Sequence, residues 1–120
     1  MVDFKKLHTF EKRVFESSKI RERYPKRVPI VVEANSQLPQ LDKNKYLVPH
    51  DFTVGQFVYI LRKRMKLDAE KALFLFVDNV LPTTSAHLFA LYDEKRDRDG
   101  FLYIKVAGEN TYGLKNKYKT

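Results

Sequence analysis

The sequence predicts an α+β fold: a four-stranded mixed sheet, one helix laid across it, and two further helices ahead of it. Three observations carry that expectation. After Thr53, the residues Val54, Phe57, Val58, Leu61 and Met65 recur at helical spacing and make one apolar face. Two short runs rich in β-branched and aromatic residues precede this helix and two follow it. Ahead of all of them, a charged stretch opens at Thr9 and closes at Tyr24-Pro25 with no glycine or proline inside.

Taken in order, Phe4 to Leu7 can form a short helix. Thr9 can cap the next, from about Phe10 to Arg23, because its hydroxyl accepts from an amide left free in the first turn. Phe10 and Val14 stand four apart, with Ile20 further along, and Tyr24-Pro25 ends the helix because the residue before a proline avoids the α region. Val28-Pro29-Ile30-Val31-Val32 reads as the first strand. Its proline points to an edge strand, or to a position where no amide is needed. The edge reading makes Val28 to Val32 an available docking strand. Glu33 to Asp42 is a polar loop, and Tyr46-Leu47-Val48, stopped by Pro49, is the second strand.

Thr53-Val54-Gly55-Gln56 is a capping box, in which threonine and glutamine satisfy each other's backbone amides. Arg62, Lys63 and Lys66 lie off the apolar face of the helix behind it. Leu73-Phe74-Leu75-Phe76-Val77 is apolar throughout, the pattern of a central buried strand. Asp78-Asn79 turns the chain into Val80-Leu81-Pro82, and Thr84 or Ser85 can cap a short helix through Tyr92. In the charged loop Asp93 to Gly100, Lys95, Arg96 and Arg98 alternate with acids, which reads as a self-neutralising turn. Phe101 to Val106 is the last strand, and the polar residues after Ala107 read as an extended tail. Two strands, a helix across the sheet and two more strands is the β-grasp arrangement of ubiquitin, here with two added N-terminal helices.

A chain of 120 residues supports one core. It has no apolar run near the ~20 residues of a membrane helix and no signal-peptide pattern, so a cytosolic or nuclear setting is expected. The absence of cysteine excludes disulfides, thiolate metal sites and a cysteine nucleophile. The net charge of +8 raises the question of nucleic acid, but Lys115, Lys117 and Lys119 of the last seven residues carry three of those charges, leaving +5 without them. The remaining bases are spread among acids, which reads as a solvated surface, and no nucleic-acid partner is expected. There is no phosphate loop, no nucleophile elbow and no dinucleotide fingerprint. His8, His50 and His87 lack metal-ligand spacing. No enzyme activity, metal or cofactor is expected.

A set of motifs then becomes recognisable: Phe10-Glu11-Lys12-Arg13, Arg27-Val28-Pro29, Asp42-Lys43-Asn44-Lys45-Tyr46-Leu47-Val48-Pro49, Thr53-Val54-Gly55-Gln56-Phe57, Arg62-Lys63-Arg64, Gly100-Phe101-Leu102-Tyr103 and Tyr112-Gly113. With these the chain resembles the autophagy-related ubiquitin-like modifiers, the family of the GABA-receptor-associated protein and the microtubule-associated light chain, from about Phe10 to Gly113. The resemblance implies residues 1–25 as a helical extension, 26–113 as the ubiquitin-like domain and 114–120 as a removable tail. It implies that a cysteine protease cuts after Gly113. Activating and conjugating enzymes then pass that glycine to phosphatidylethanolamine, so a cytoplasmic precursor becomes bound to the autophagosome membrane.

The resemblance also implies capture of receptors that present an aromatic, two variable residues and an aliphatic. By matching positions, the aromatic pocket is Glu16, Ile20, Pro29, Val31, Lys45, Leu47 and Phe101. The aliphatic pocket is Tyr46, Val48, Pro49, Phe52, Phe57, Ile60 and Leu61. Arg27, Lys43 and Arg64 would meet acids flanking the motif, while Phe74, Phe76 and Tyr112 match contacts of the processing enzymes. For Phe57, Ile60 and Leu61, and for Phe74 and Phe76, plain core packing is the competing reading. Phe15, a compact Glu33–Asp42 loop and Phe52 depart from the family pattern and bear on motif preference. A cytoskeletal adaptor binding tubulin through the N-terminal helices is the alternative function.

Overall fold

The computed structural model describes residues 3–35 and 37–109. Its elements are α1 (Phe4–Leu7), α2 (Phe10–Arg23), β1 (Arg27–Ala34), β2 (Lys45–Pro49), α3 (Val54–Met65), β3 (Phe74–Phe76), α4 (Leu88–Lys95) and β4 (Leu102–Ala107). The strands form one mixed sheet in the order β2-β1-β4-β3, with β1 parallel to β4 and the other two pairs antiparallel.

That order corrects the expectation that β1 is an edge. It lies between β2 and β4, and β2 is the edge. Val32 N–H donates to the Asn44 carbonyl at 2.8 Å and His50 N–H to the Lys26 carbonyl at 2.9 Å, so the even-numbered positions of β1 bond toward β2. Pro29 therefore turns its nitrogen toward β4, where the parallel register begins only at Ile30↔Leu102. A proline is tolerated inside this sheet because it stands one residue before the ladder that would need its amide. Being buried, Pro29 also has a packing role that its residue type did not suggest.

The apolar run 73–77 is likewise not a central strand. β3 is three residues long and lies at the far edge. It stops early because Asp78 and Asn79 take left-handed conformations (φ 54° and 64°), folding Val77 back on Val80 in a tight turn. Leu75 joins the main core, while Phe74 and Phe76 alternate to the opposite face of the strand.

The main core lies between the sheet and α3. The capping box is formed as expected: Gln56 N–H donates to Thr53 Oγ1 at 3.2 Å, and Thr53 N–H to Gln56 Oε1 at 2.8 Å. Val54, Phe57, Leu61 and Met65 are buried against Ile30, Val48, Leu102 and Ile104. The helix ends at Lys66, itself left-handed. α4 begins later than expected, with His87 at its cap and no side-chain cap bond. The segment read as its cap serves α3 instead. The carbonyls of Thr84 and Ala86 accept from Gly55 and Val54 N–H, both at 2.9 Å, satisfying amides that a helix start leaves free.

The other face of the sheet carries α1 and α2. Asp3 caps α1 through Lys5 N–H at 2.9 Å, and Thr9 caps α2 through Lys12 N–H at 3.2 Å. Phe4, Val31 and Phe101 form a small second cluster, with Ile20 and Tyr103 packed on it. α2 buries Arg13 and Ser17, and leaves Phe10 and Phe15 exposed. Lys19 covers the Phe15 ring at 5.2 Å. Asp99 explains why a base and a hydroxyl face inward. Its carboxylate accepts from Arg13 Nη1 at 2.6 Å, from the Tyr103 hydroxyl and from Phe101 N–H at 2.9 Å, while Ser17 donates to its carbonyl. Gly100 follows at φ 93°, and a Cβ there would collide with Ser17.

The charged loop is therefore not a self-neutralising turn. Asp97 pairs with Lys5 at 2.6 Å and Asp99 with Arg13, both on the N-terminal helices. The interleaved bases point outward: Arg98 lies 5.7 Å from the Phe10 ring and Arg96 5.5 Å from the Tyr92 ring, with a loose 3.9 Å contact from Arg96 to Asp93.

Candidate functional site

β2 offers the free edge beside the expected pockets. Its even-numbered residues, Tyr46 and Val48, bond to β1 and send their side chains into the core. Lys45 and Leu47 project to the α2 face and turn their backbone groups outward. Arg27 Nη1 reaches the Leu47 carbonyl at 3.3 Å.

The residues of the expected aromatic pocket converge on the α2 side of β2, β1 and β4. Val31 and Phe101 are fully buried beneath Ile20, and Lys45 pairs with Glu16 across the gap between β2 and α2 at 2.6 Å. Leu47 is the exposed apolar member, and Pro29 lies opposite it in the ladder.

The expected aliphatic set divides. Tyr46, Val48, Phe57 and Leu61 are sealed in the main core, so packing accounts for them. Phe52 and Ile60 are partly exposed and line a shallow cleft of about 530 Å³ with Gln56 and Tyr59. Pro49, also partly exposed, ends β2.

Of the flanking cations, Lys43 and Arg64 gather at the start of β2, while Arg27 lies at its other end, opposite Pro49. Lys43 Nζ lies 4.9 Å and the Arg64 guanidinium 5.9 Å from the Tyr46 ring, and Arg64 approaches Asp42 at 3.8 Å. Burial pushes the Tyr46 phenol up, with Arg64 opposing, so the ring stays neutral and its hydroxyl donates to the Lys43 carbonyl at 3.2 Å. Burial, reinforced by the Asp99 carboxylate, also pushes Tyr103 up. This edge is cationic, with apolar contact surface beside it, and suits an extended acidic peptide.

Phe74 and Phe76 belong to the opposite edge of the sheet, on β3. Tyr112, Gly113 and the segment 114–120 lie outside the described residues. Among the described residues no helix is long and apolar enough to cross a membrane.

Sequence reasoning missed the Arg13–Asp99 pair and the role of Phe4. The i, i+4 spacing of Arg13 and Ser17 was a signal for the first, since it puts a base and a hydroxyl on one helix stripe. Nothing local marked Phe4 as a core residue.

A helix across a four-stranded β2-β1-β4-β3 sheet, with two N-terminal helices on its other face, defines a ubiquitin-like α+β protein. Residues 12–113 match the family model described as autophagy protein Atg8, ubiquitin-like, and the chain belongs to that family of modifiers and adaptors rather than enzymes. It is 59% identical to autophagy-related protein 8c of Arabidopsis thaliana, over 92% of this chain and 95% of that one. It is 55% identical to autophagy-related protein 8 of Mycosarcoma maydis, over 92% and 95%. Among solved structures it resembles Trypanosoma brucei ATG8 (TM-score 0.85, 47% identity, covering 91% of this chain and 96% of that one). It also resembles Plasmodium falciparum Atg8 in complex with an Atg3 peptide of the same organism (TM-score 0.83, 38% identity, 91% and 98%).

Proposed function

We propose that this chain is cleaved after Gly113, joined through that glycine to phosphatidylethanolamine on autophagosomal membranes, and docks receptors carrying aromatic-x-x-aliphatic motifs along β2. Family membership is the observation that carries the reading, and the family match itself runs to residue 113. Glycine suits the position because no side chain blocks a narrow protease channel or a carbonyl under attack. Two acyl chains anchor firmly where one would not, at roughly 0.8 kcal/mol per buried methylene, so a protein with no membrane-crossing helix among its described residues acquires a membrane. The body left after cleavage is still basic, which favours approach to an anionic leaflet.

The partners of this cycle are a processing cysteine protease and the activating and conjugating enzymes. Phe74 and Phe76 are proposed as contacts for the processing machinery, at the sheet edge opposite β2. The solved complex of the Plasmodium relative with an Atg3 peptide supports peptide capture as a mode open to this fold. In this chain the aromatic anchor would enter beside Lys45 and Leu47, and the aliphatic anchor beside Pro49, Phe52 and Ile60.

Intact mass of the protein from cells tests the first half in one measurement. Wild type should end at Gly113 and carry the lipid, while Gly113→Ala should stay full length and cytosolic. Processing and lipidation of Gly113→Ala would overturn the reading. For docking, replacing Lys45 and Leu47 with Ala should abolish binding of an aromatic-x-x-aliphatic peptide in calorimetry and leave the thermal midpoint nearly unchanged, because both side chains are exposed.

A further inference from the structure

Three rings with no part in the docking surface described above meet just beyond the end of β2. Phe89, on the first turn of α4, is 44% exposed and belongs to neither apolar cluster. Its ring centre lies 5.3 Å from that of His87 and 5.9 Å from that of His50. His87 caps α4 without a side-chain cap bond, so its imidazole is not spent on the helix. The backbone fixes this trio beside the expected aliphatic pocket. Phe89 N–H donates to the His50 carbonyl at 3.1 Å and Leu88 N–H to the Phe52 carbonyl at 2.8 Å, while Thr53 bridges to His87. His50 directly follows Pro49, the last residue of β2.

The direction of a docked peptide leads it to these rings. With its aromatic anchor beside Lys45 and Leu47 and its aliphatic anchor beside Pro49, Phe52 and Ile60, the peptide runs in the same sense as β2. An extended chain advances about 3.3 Å per residue, so the residues after the aliphatic anchor pass Pro49 and reach His50 within about three positions. Alternation returns the second of them to the side of the sheet that took the aliphatic anchor. That is the side on which Leu88, next to Phe89, enters the main core.

We propose that His50, His87 and Phe89 form a third subsite, which takes a tyrosine or tryptophan of the receptor two residues beyond the aliphatic anchor. The proposal rests on the docking reading above and adds an element to the motif that this chain selects. An exposed phenyl ring offers its face or edge to a second ring, an arrangement worth more than the area it buries. The flanking imidazoles supply polar nitrogens that an indole N–H or a phenol hydroxyl can meet and an aliphatic side chain cannot. A peptide already held at two anchors loses little further freedom in making the third contact.

The test is calorimetric titration of the full chain with two synthetic acid-flanked peptides. Both carry Trp and Leu anchors. The first continues with serine and glycine only, the second with another Trp two residues beyond Leu. The second peptide should bind wild type roughly two- to tenfold more tightly, the range of one aromatic pair. Phe89→Ala should bind both peptides alike, with the affinity that wild type has for the first, and Phe89→Tyr should recover the difference. The His50 and His87 ring protons should shift at saturation with the second peptide and far less with the first. No gain in wild type, a gain kept by Phe89→Ala, an equal gain from Leu in place of the second Trp, or equal weakening of both peptides by Phe89→Ala would overturn the subsite. If the first peptide binds wild type, and the Lys45 and Leu47 double variant does not bind it, the docking reading survives that failure. Binding of neither peptide to wild type, or binding that survives the double variant, overturns both.

Discussion

On the face covered by α3, Val54, Phe57, Leu61 and Met65 close over Ile30, Val48, Leu102 and Ile104 in one continuous apolar cluster. On the face covered by α1 and α2, three buried apolar residues, Phe4, Val31 and Phe101, share the work with a buried carboxylate and its donors. The first face is held by area, which is non-directional and is lost only when the layer separates. The second is held by a few paired groups whose geometry either fits or does not. A layer of that second kind can open locally while the rest of the molecule stays folded. The proposed peptide edge lies on this face.

The largest expected effect is on the α3 face. Phe57→Ala should cost about 3–5 kcal/mol, read as a lower urea midpoint with all probes moving together. Asp99→Ala leaves Arg13 and the Tyr103 hydroxyl without their shared acceptor and should cost about 3 kcal/mol. Its signature is different. Amide exchange should accelerate along α2 well before it does in α3, and uniform acceleration of both would show that the two faces unfold as one.

Asp97 gives a smaller, pH-dependent effect. Burial alone would raise its carboxyl, but the hydrogen bond from Lys5, aided by Asp99 N–H, holds it below the usual 3.8. A carboxylate held lower in the folded state contributes stability that is present above the unfolded value and lost as pH falls through the folded one. The thermal midpoint should therefore begin to fall below about pH 4, and Asp97→Asn should flatten that slope. An unchanged acid profile would show that the Lys5–Asp97 pair contributes no stability. Smallest of all, Glu16→Ala breaks only the exposed pair with Lys45 and should cost less than about 1 kcal/mol in denaturant titration.

What the sequence made legible follows the same division. Helical periodicity and the capping box announced α3, because an apolar stripe and a cap are local patterns. The motif set singled out four β2 residues; Lys45 and Leu47 turn outward along the strand, whereas Tyr46 and Val48, expected in a pocket, alternate into the core. The strand order was not legible. Whether β1 or β2 lies outside depends on where β4 inserts, and no feature within residues 28–32 records that. The proline at 29 even argued for the wrong alternative, because its tolerance depends on a register that starts one residue later. Arg13 was hidden for the reverse reason: a base in a charged helix reads as solvated until its acid, far along the chain, is brought beneath it.

The parallel pairing of β1 with β4 also has a consequence for synthesis. The two middle strands are the first and last strands to leave the ribosome, and Ile30 meets Leu102 only when nearly all of the domain has been made. Until then β1 presents one unpaired, apolar edge, flanked by the β2 hairpin and a helix with no complete sheet to cover. Nascent chains of this protein are thus exposed to edge-to-edge association through Val28–Val32 for most of translation.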